Sequence, residues 1–319
     1  MPVTIMNSDH LFTCVTAPDP GLFFKSEDPN DLRLGAMVET EAATYQAATF
    51  VIVSCSQDIG VARNHGRTGA ELAPDAIRRS FYKLAAPASL RKGDLFDLGD
   101  TAIKGSLEEI HAHHYEVVRQ LVKDGKRILV LGGGNDLSYP DGKALQSVHP
   151  DITAVNIDAH LDIRENTRRN SGTPYRQLLE ENIVQKQQFF EIGFQSHANS
   201  VHYLQQAADW GVNMIPLEEL TRSSISDCLG KKMADNLREA LFLGFDMDSV
   251  KAADAPGVSA PSPTGLSAEQ ARDVVSFFTA HFPATILEIT EVNPKYDIDS
   301  RTAKLAAILM VTFLTGGTA

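Results

Sequence analysis

Ile152-Thr153-Ala154-Val155-Asn156-Ile157 runs directly into Asp158-Ala159-His160-Leu161-Asp162. The first six residues are a mostly apolar, β-branched run of the kind that fills a strand buried on both faces. The next five alternate polar with apolar side chains. If the backbone stays extended past Ile157, then Asp158, His160 and Asp162 all point the same way, because side chains two apart share one face of a strand. Similar apolar runs recur at Phe50–Cys55, Leu95–Leu98, Ile128–Leu131, Phe189–Ile192, Asn213–Ile215, Ala240–Phe245 and Ala284–Ile289. Helical patterns lie between them, over Ala73–Ala85, Leu107–Lys123, Thr173–Glu181, Val201–Trp210, Ser267–Ala280 and Ser300–Leu314. This alternation predicts an α/β chain whose mostly parallel sheet, of roughly eight strands, is covered by helices on both faces. In the helix expected at 107–123, Ser106 and Glu109 form a capping box, and Asp124-Gly125 ends it.

Residues 1–48 are rich in Asp, Pro and Ser and read as an irregular lead-in that wraps the surface. Residues 49–319 read as one catalytic domain, because the only proline-rich stretch, Ala255–Pro263, is too short to be a linker. A net charge of −12 argues against a nucleic-acid surface, which needs clustered cations to displace counterions. Met1–Phe12 has neither a basic nor an apolar stretch of the secretory kind, and the longest apolar run, Leu305–Leu314, is about half of what a bilayer span needs. Cys14, Cys55 and Cys228 are scattered and odd in number, which suits a reducing cytoplasm. The expected partner is a small molecule, with no membrane and no nucleic acid, and a closed homo-oligomer is the default assembly.

In an open parallel sheet, ligands bind beyond the carboxyl ends of the strands. Three strand ends are unusually polar. Besides Asp158–Asp162, the run ending at Phe245 continues into Asp246-Met247-Asp248, and the run ending at Leu131 continues into Gly132-Gly133-Gly134-Asn135-Asp136. Four carboxylates at one crevice repel one another unless a counter-charge is present, and two divalent cations supply it. Oxygen ligands with one imidazole and no thiolate favour Mn2+, or Mg2+, Fe2+ or Co2+, over a structural zinc. The glycine run does not match a phosphate-binding loop, because Gly142-Lys143 is followed by Ala144. His111, His113 and His114 are read as solvated or packed histidines, and Cys55 as a buried structural thiol.

These strand ends resemble the arginase–agmatinase–formimidoylglutamase superfamily, the ureohydrolases. The resemblance also rests on Gln57–Val61, Asn64–Ala70, Gly244–Asp248, Ala255-Pro256-Gly257 and Glu291-Val292-Asn293-Pro294. It implies a three-layer α/β/α sandwich with a binuclear manganese centre, two Mn2+ per chain. Carried over by position, Asp158 and Asp246 would bridge the ions, Asp162 and Asn135 would complete one, and His160 and Asp248 the other. Asp162 and Glu291 are the expected catalytic residues, Asp162 moving a proton to the leaving nitrogen and Glu291 facing the cationic amidine. Most of the superfamily has His where this chain has Asn135, and a neutral amide oxygen is the poorer donor, so one ion should be held more weakly. Some formimidoylglutamases are similar to this chain in using Asn there. Asn170-Ser171-Gly172-Thr173-Pro174-Tyr175 resembles the Ser-Gly-Thr-Pro-aromatic motif of that branch, as does Arg164. Asn170, Ser171, Thr173, Arg164 and Glu291 are accordingly candidate substrate contacts. The activity so implied is hydrolysis of N-formimidoyl-L-glutamate to L-glutamate and formamide, a step of histidine breakdown. The alternatives are a guanidino-acid hydrolase or agmatinase, and a catalytically silent binding relative.

Overall fold

A computed structural model describes residues 8–233, 238, 240–282 and 284–316. Among them the strands are β1 (Val15–Thr16), β2 (Phe50–Ser54), β3 (Leu95–Thr101), β4 (Arg127–Leu131), β5 (Ile152–Ile157), β6 (Phe189–Phe194), β7 (Asn213–Pro216), β8 (Ala240–Asp246) and β9 (Ala284–Thr290). They form one sheet in the order β1-β3-β2-β4-β9-β8-β5-β6-β7. Every pairing is parallel except that of β1 with β3. The eight strands expected from the sequence are all present. The ninth is β1, which lies in the lead-in expected to be irregular.

Strand alternation divides the core into two layers. Val51, Val53, Ile128, Val130 and Ala154 pack with the helices Leu107–Lys123, Ser138–Gln146 and Pro174–Glu180. Ile52, Leu129, Leu131, Val155 and Ile157 face the helices Ala73–Phe81, Ala268–His281 and Arg301–Thr315. This is the expected three-layer α/β/α sandwich. The capping box at Ser106 and Glu109 is formed, and the helix it starts runs over Leu107–Lys123.

The order of strands decides where a ligand can bind. After β4 the chain crosses to β5 and continues outward through β6 and β7, and only later do β8 and β9 fill the gap. The carboxyl ends of β4, β9, β8 and β5 therefore lie side by side at the point where the winding direction changes. Gly133 lets two of these ends approach the β2 end: a Cβ there would collide with the Gln57 carbonyl oxygen. Gly134 N–H donates to that same oxygen, and Glu291 N–H donates to the Gly133 carbonyl. The glycine run thus serves close backbone packing.

Candidate metal centre

Each of the four adjacent strand ends delivers polar side chains to one cleft. β5 delivers Asp158, His160 and Asp162, β8 delivers Asp246 and Asp248, β9 delivers Glu291, and the turn after β4 delivers Asn135. The β5 and β8 ends use the same local device. Asp158 Oδ1 accepts from the His160 N–H at 2.7 Å, and Asp246 Oδ1 accepts from the Asp248 N–H at 2.8 Å. Such Asx turns fold the backbone back immediately after the strand. The strand alternation expected to align Asp158, His160 and Asp162 does not continue that far. β5 ends at Ile157 and Asp162 has φ 47°, so a turn rather than an extended run brings the three together. Asp162, Glu291 (φ 62°) and His65 (φ 61°) all line the cleft with left-handed backbones. Non-glycine residues held in such conformations concentrate at functional sites.

Two groups of potential ligand atoms result, each with all atoms within 4.8 Å of one another: Asp158, His160 and Asp248, and Asp158, Asp162 and Asp246. Asp158 belongs to both. His160 Nδ1 lies 3.3 Å from Asp158 Oδ1 and 3.2 Å from Asp248 Oδ2. Asn135 Nδ2 donates to Asp162 Oδ2 at 2.8 Å, while its Oδ1 accepts from Thr290 Oγ1 at 2.9 Å and from Ser138 Oγ at 3.1 Å. Hydroxyls accept as readily as they donate, so this cradle suits the amide with either end turned toward the carboxylates. Its backbone N–H donates to Glu291 Oε1 at 3.0 Å.

The electrostatics of the cluster call for a cation. Burial, reinforced by Asp162 and Asp248, pushes the Asp158 carboxyl well above its ordinary range. Burial does the same to Asp246, with Asp248 and Asp158 adding to it, and to Glu291. Burial raises Asp162 to about 6, although His160 opposes it. Asp248 beside His160 pushes the imidazole up to about 12 against the effect of burial. Asp248 Oδ1 and Glu291 Oε2 are buried without a hydrogen-bond partner among the described residues. Unpartnered carboxylate oxygens beside an oxygen-rich, thiolate-free donor set suit a pair of hard divalent ions.

The cleft holds about 270 Å³ accessible to water. Asn64, His65, Arg67, Ser259 and Ala260 line it as well, none of them assigned a role from sequence. Arg67 is occupied in holding the 258–259 loop, donating to the Ser259 and Val258 carbonyls at 3.0 and 2.5 Å and stacking over Tyr296. Arg164 is freer. Among the described residues its guanidinium makes one long hydrogen bond, 3.5 Å to Asn64 Oδ1, and the neighbouring Glu165 pairs with Arg176 instead. Ser171 reaches the cleft and accepts from Asn64 Nδ2. Asn170 and Thr173 do not line the cleft. Asn170 Oδ1 accepts from the Gly172 N–H, and Thr173 Oγ1 donates to the Asn170 carbonyl, so both side chains build the turn that presents Ser171. His111 and His114, expected as solvated or packed, are buried against Asp136 and Asp141.

A parallel α/β/α sandwich with a carboxylate–imidazole cluster at its switch point defines a class of enzymes that use divalent ions at their strand ends. The chain belongs to the arginase family, whose model matches residues 48–316. It is 30% identical over 281 residues to a formimidoylglutamase of Macrococcus caseolyticus, covering 87% of this chain and 88% of that one. A formimidoylglutamase of Psychrobacter cryohalolentis is 32% identical over 82% of this chain and 84% of its own. Among solved structures, Trypanosoma cruzi formiminoglutamase with Mn2+2 superposes with a TM-score of 0.79 at 29% identity, over 94% of this chain and 98% of that one.

Proposed function

We propose that this chain hydrolyses N-formimidoyl-L-glutamate to L-glutamate and formamide at a centre of two Mn2+ ions. The formimidoylglutamases it matches over more than four-fifths of its length support that substrate, and the T. cruzi structure with Mn2+2 supports the metal. The observation that carries the reading is the cleft itself: an acidic floor with a spare carboxylate oxygen on Glu291, and at its wall Arg164, a cation with no ion pair among the described residues. Asp158 and Asp246 would reach both ions, Asp162 and Asn135 would complete one, and His160 and Asp248 the other. When bound, the ions lower the pKa of a water toward neutrality and so supply hydroxide at physiological pH.

The protein's own groups do the rest. Glu291 Oε1 is fixed by the Asn135 N–H, which leaves Oε2 to hold the cationic amidine by a charge-assisted hydrogen bond. Asp162 lines the cleft beside Glu291, and its carboxylate is placed to take the proton released by the attacking water and pass it to the leaving nitrogen. Arg164 faces a carboxylate of the glutamate portion, with Ser171 beside it. Agmatine has no carboxylate to pair with Arg164, which disfavours an agmatinase; guanidino acids do carry one, and it is the formimidoylglutamase relatives that favour formimidoylglutamate over them. A silent relative is disfavoured too, because the four carboxylates and His160 are assembled.

No helix among the described residues is long and apolar enough to cross a membrane. Cys14, Cys55 and Cys228 are unpaired, which supports a cytoplasmic setting. A closed homo-oligomer completes the proposal. The test is hydrolysis near pH 8 after incubation with MnCl2, scanning formimidoylglutamate, agmatine, guanidinobutyrate and arginine. Turnover of formimidoylglutamate with little of the others is expected. Preferential turnover of agmatine or guanidinobutyrate would overturn the substrate assignment.

A further inference from the structure

Asn135 is the weak point of the proposed centre, and it is also held on every side. Its outer amide end meets two hydroxyls, Thr290 Oγ1 at 2.9 Å and Ser138 Oγ at 3.1 Å. The Thr290 hydroxyl has no other hydrogen bond among the described residues, although it sits fully buried at the end of β9. Ser138 is anchored in turn. Its Oγ lies 2.6 Å from Glu288 Oε2 and accepts from the Tyr175 hydroxyl at 3.1 Å. Ser138, Thr290, Glu288 and Tyr175 are all wholly buried. They come from the helix Ser138–Gln146, from β9 and from the helix Pro174–Glu180. Tyr175 is the aromatic residue of the Ser-Gly-Thr-Pro-aromatic stretch, and its ring is stacked on Phe189. That motif therefore bears on the cleft twice, through Ser171 in its lining and through Tyr175 from behind.

A buried hydroxyl with a single partner on a core strand costs stability unless that partner needs it, because valine would fill the same space without a polar group to desolvate. We propose that Thr290 and Ser138, the latter anchored by Glu288 and Tyr175, are positioning residues for Asn135, and that they set how tightly the ion beside Asn135 is held. The inference rests on the metal-centre reading above. An amide is a weaker donor than imidazole, so its affinity depends more on being held in one orientation. Hydrogen-bonding groups behind metal ligands commonly change affinity by 10- to 100-fold when removed.

The test is Mn2+ titration of the full chain, reading bound ions per chain and two dissociation constants by electron paramagnetic resonance, with melting curves as a check on folding. Thr290→Val keeps the shape and removes the hydroxyl. The expected result is that the weaker dissociation constant rises about tenfold or more while the tighter one is unchanged. Thr290→Ser should restore it, and Ser138→Ala should weaken the same ion independently. If Thr290→Val and Ser138→Ala bind both ions as the wild type does, or if each weakens both ions equally, the positioning role is wrong. A wild-type chain that takes up no Mn2+ would instead sink the metal-centre reading and this inference with it.

Discussion

Asp162 meets two requirements at once. It belongs to the group of atoms that can hold an ion, and its carboxylate lines the cleft in which the leaving nitrogen must receive a proton. Asp162→Asn keeps the size and the turn but removes the proton carrier, so turnover should fall by about 10²- to 10⁴-fold with the melting temperature not lowered. Full activity in that variant would contradict the proton-transfer role. Glu291→Gln should still accept from the Asn135 N–H but present no charge to the substrate. Loss of one charge-assisted hydrogen bond, about 1.5–3 kcal/mol, lowers kcat/KM roughly 10- to 100-fold. Steady-state kinetics on formimidoylglutamate decide it, and a variant as efficient as the wild type would remove Glu291 from the substrate site. At this scale the sequence was legible for the acids and His160, because their spacing after strands is a local pattern. It was not legible for Asn170 and Thr173. A motif position does not reveal whether a side chain lines a cleft or closes the turn behind it. His65 and Arg67 escaped for a related reason, since their places depend on a left-handed backbone and on a loop almost 200 residues away.

At the level of elements, the strands were readable because a parallel strand covered on both faces must be apolar along its whole length. β1 has only Val15 and Thr16, too short for any periodicity. The helix Ser138–Gln146 was missed because Pro140 and Gly142 both argue against a helix in isolation. The proline sits in the first turn, where its missing N–H costs nothing. The helix Ala73–Phe81 is tied to β3 by charge as well as packing. Arg78, wholly buried, donates to Asp97 from Nε at 2.8 Å and from Nη2 at 3.0 Å, and its Nη1 lies 2.6 Å from Asp100. Tyr82 also bonds Asp97. Arg78→Met leaves Asp97 buried without its cation, and the cost should be about 3–5 kcal/mol in denaturant unfolding. A loss under about 1 kcal/mol would show that Asp97 finds another partner or is protonated there.

For the molecule as a whole, the cluster links pH, metal and stability. The ordinary Asp value is 3.8, and Asp162 in the fold stands at about 6. Between those values the folded chain binds a proton that the unfolded chain has released, so this group makes the metal-free protein less stable as pH rises through that window. Mn2+ must displace the same proton, and its binding weakens as pH falls below about 6. The rise in melting temperature on adding Mn2+ should therefore be larger at pH 7 than at pH 5. An equal rise at both would mean that the ions do not compete with protons on these carboxylates. The account as a whole stands on two ions sharing Asp158, and the most direct measurement is the electron paramagnetic resonance spectrum of the Mn2+-loaded protein with metal content determined on the same sample. Two Mn2+ per chain with the multiline spectrum of an exchange-coupled pair is the predicted result. A single ion, or two ions giving only the six-line pattern of isolated Mn2+, would contradict it.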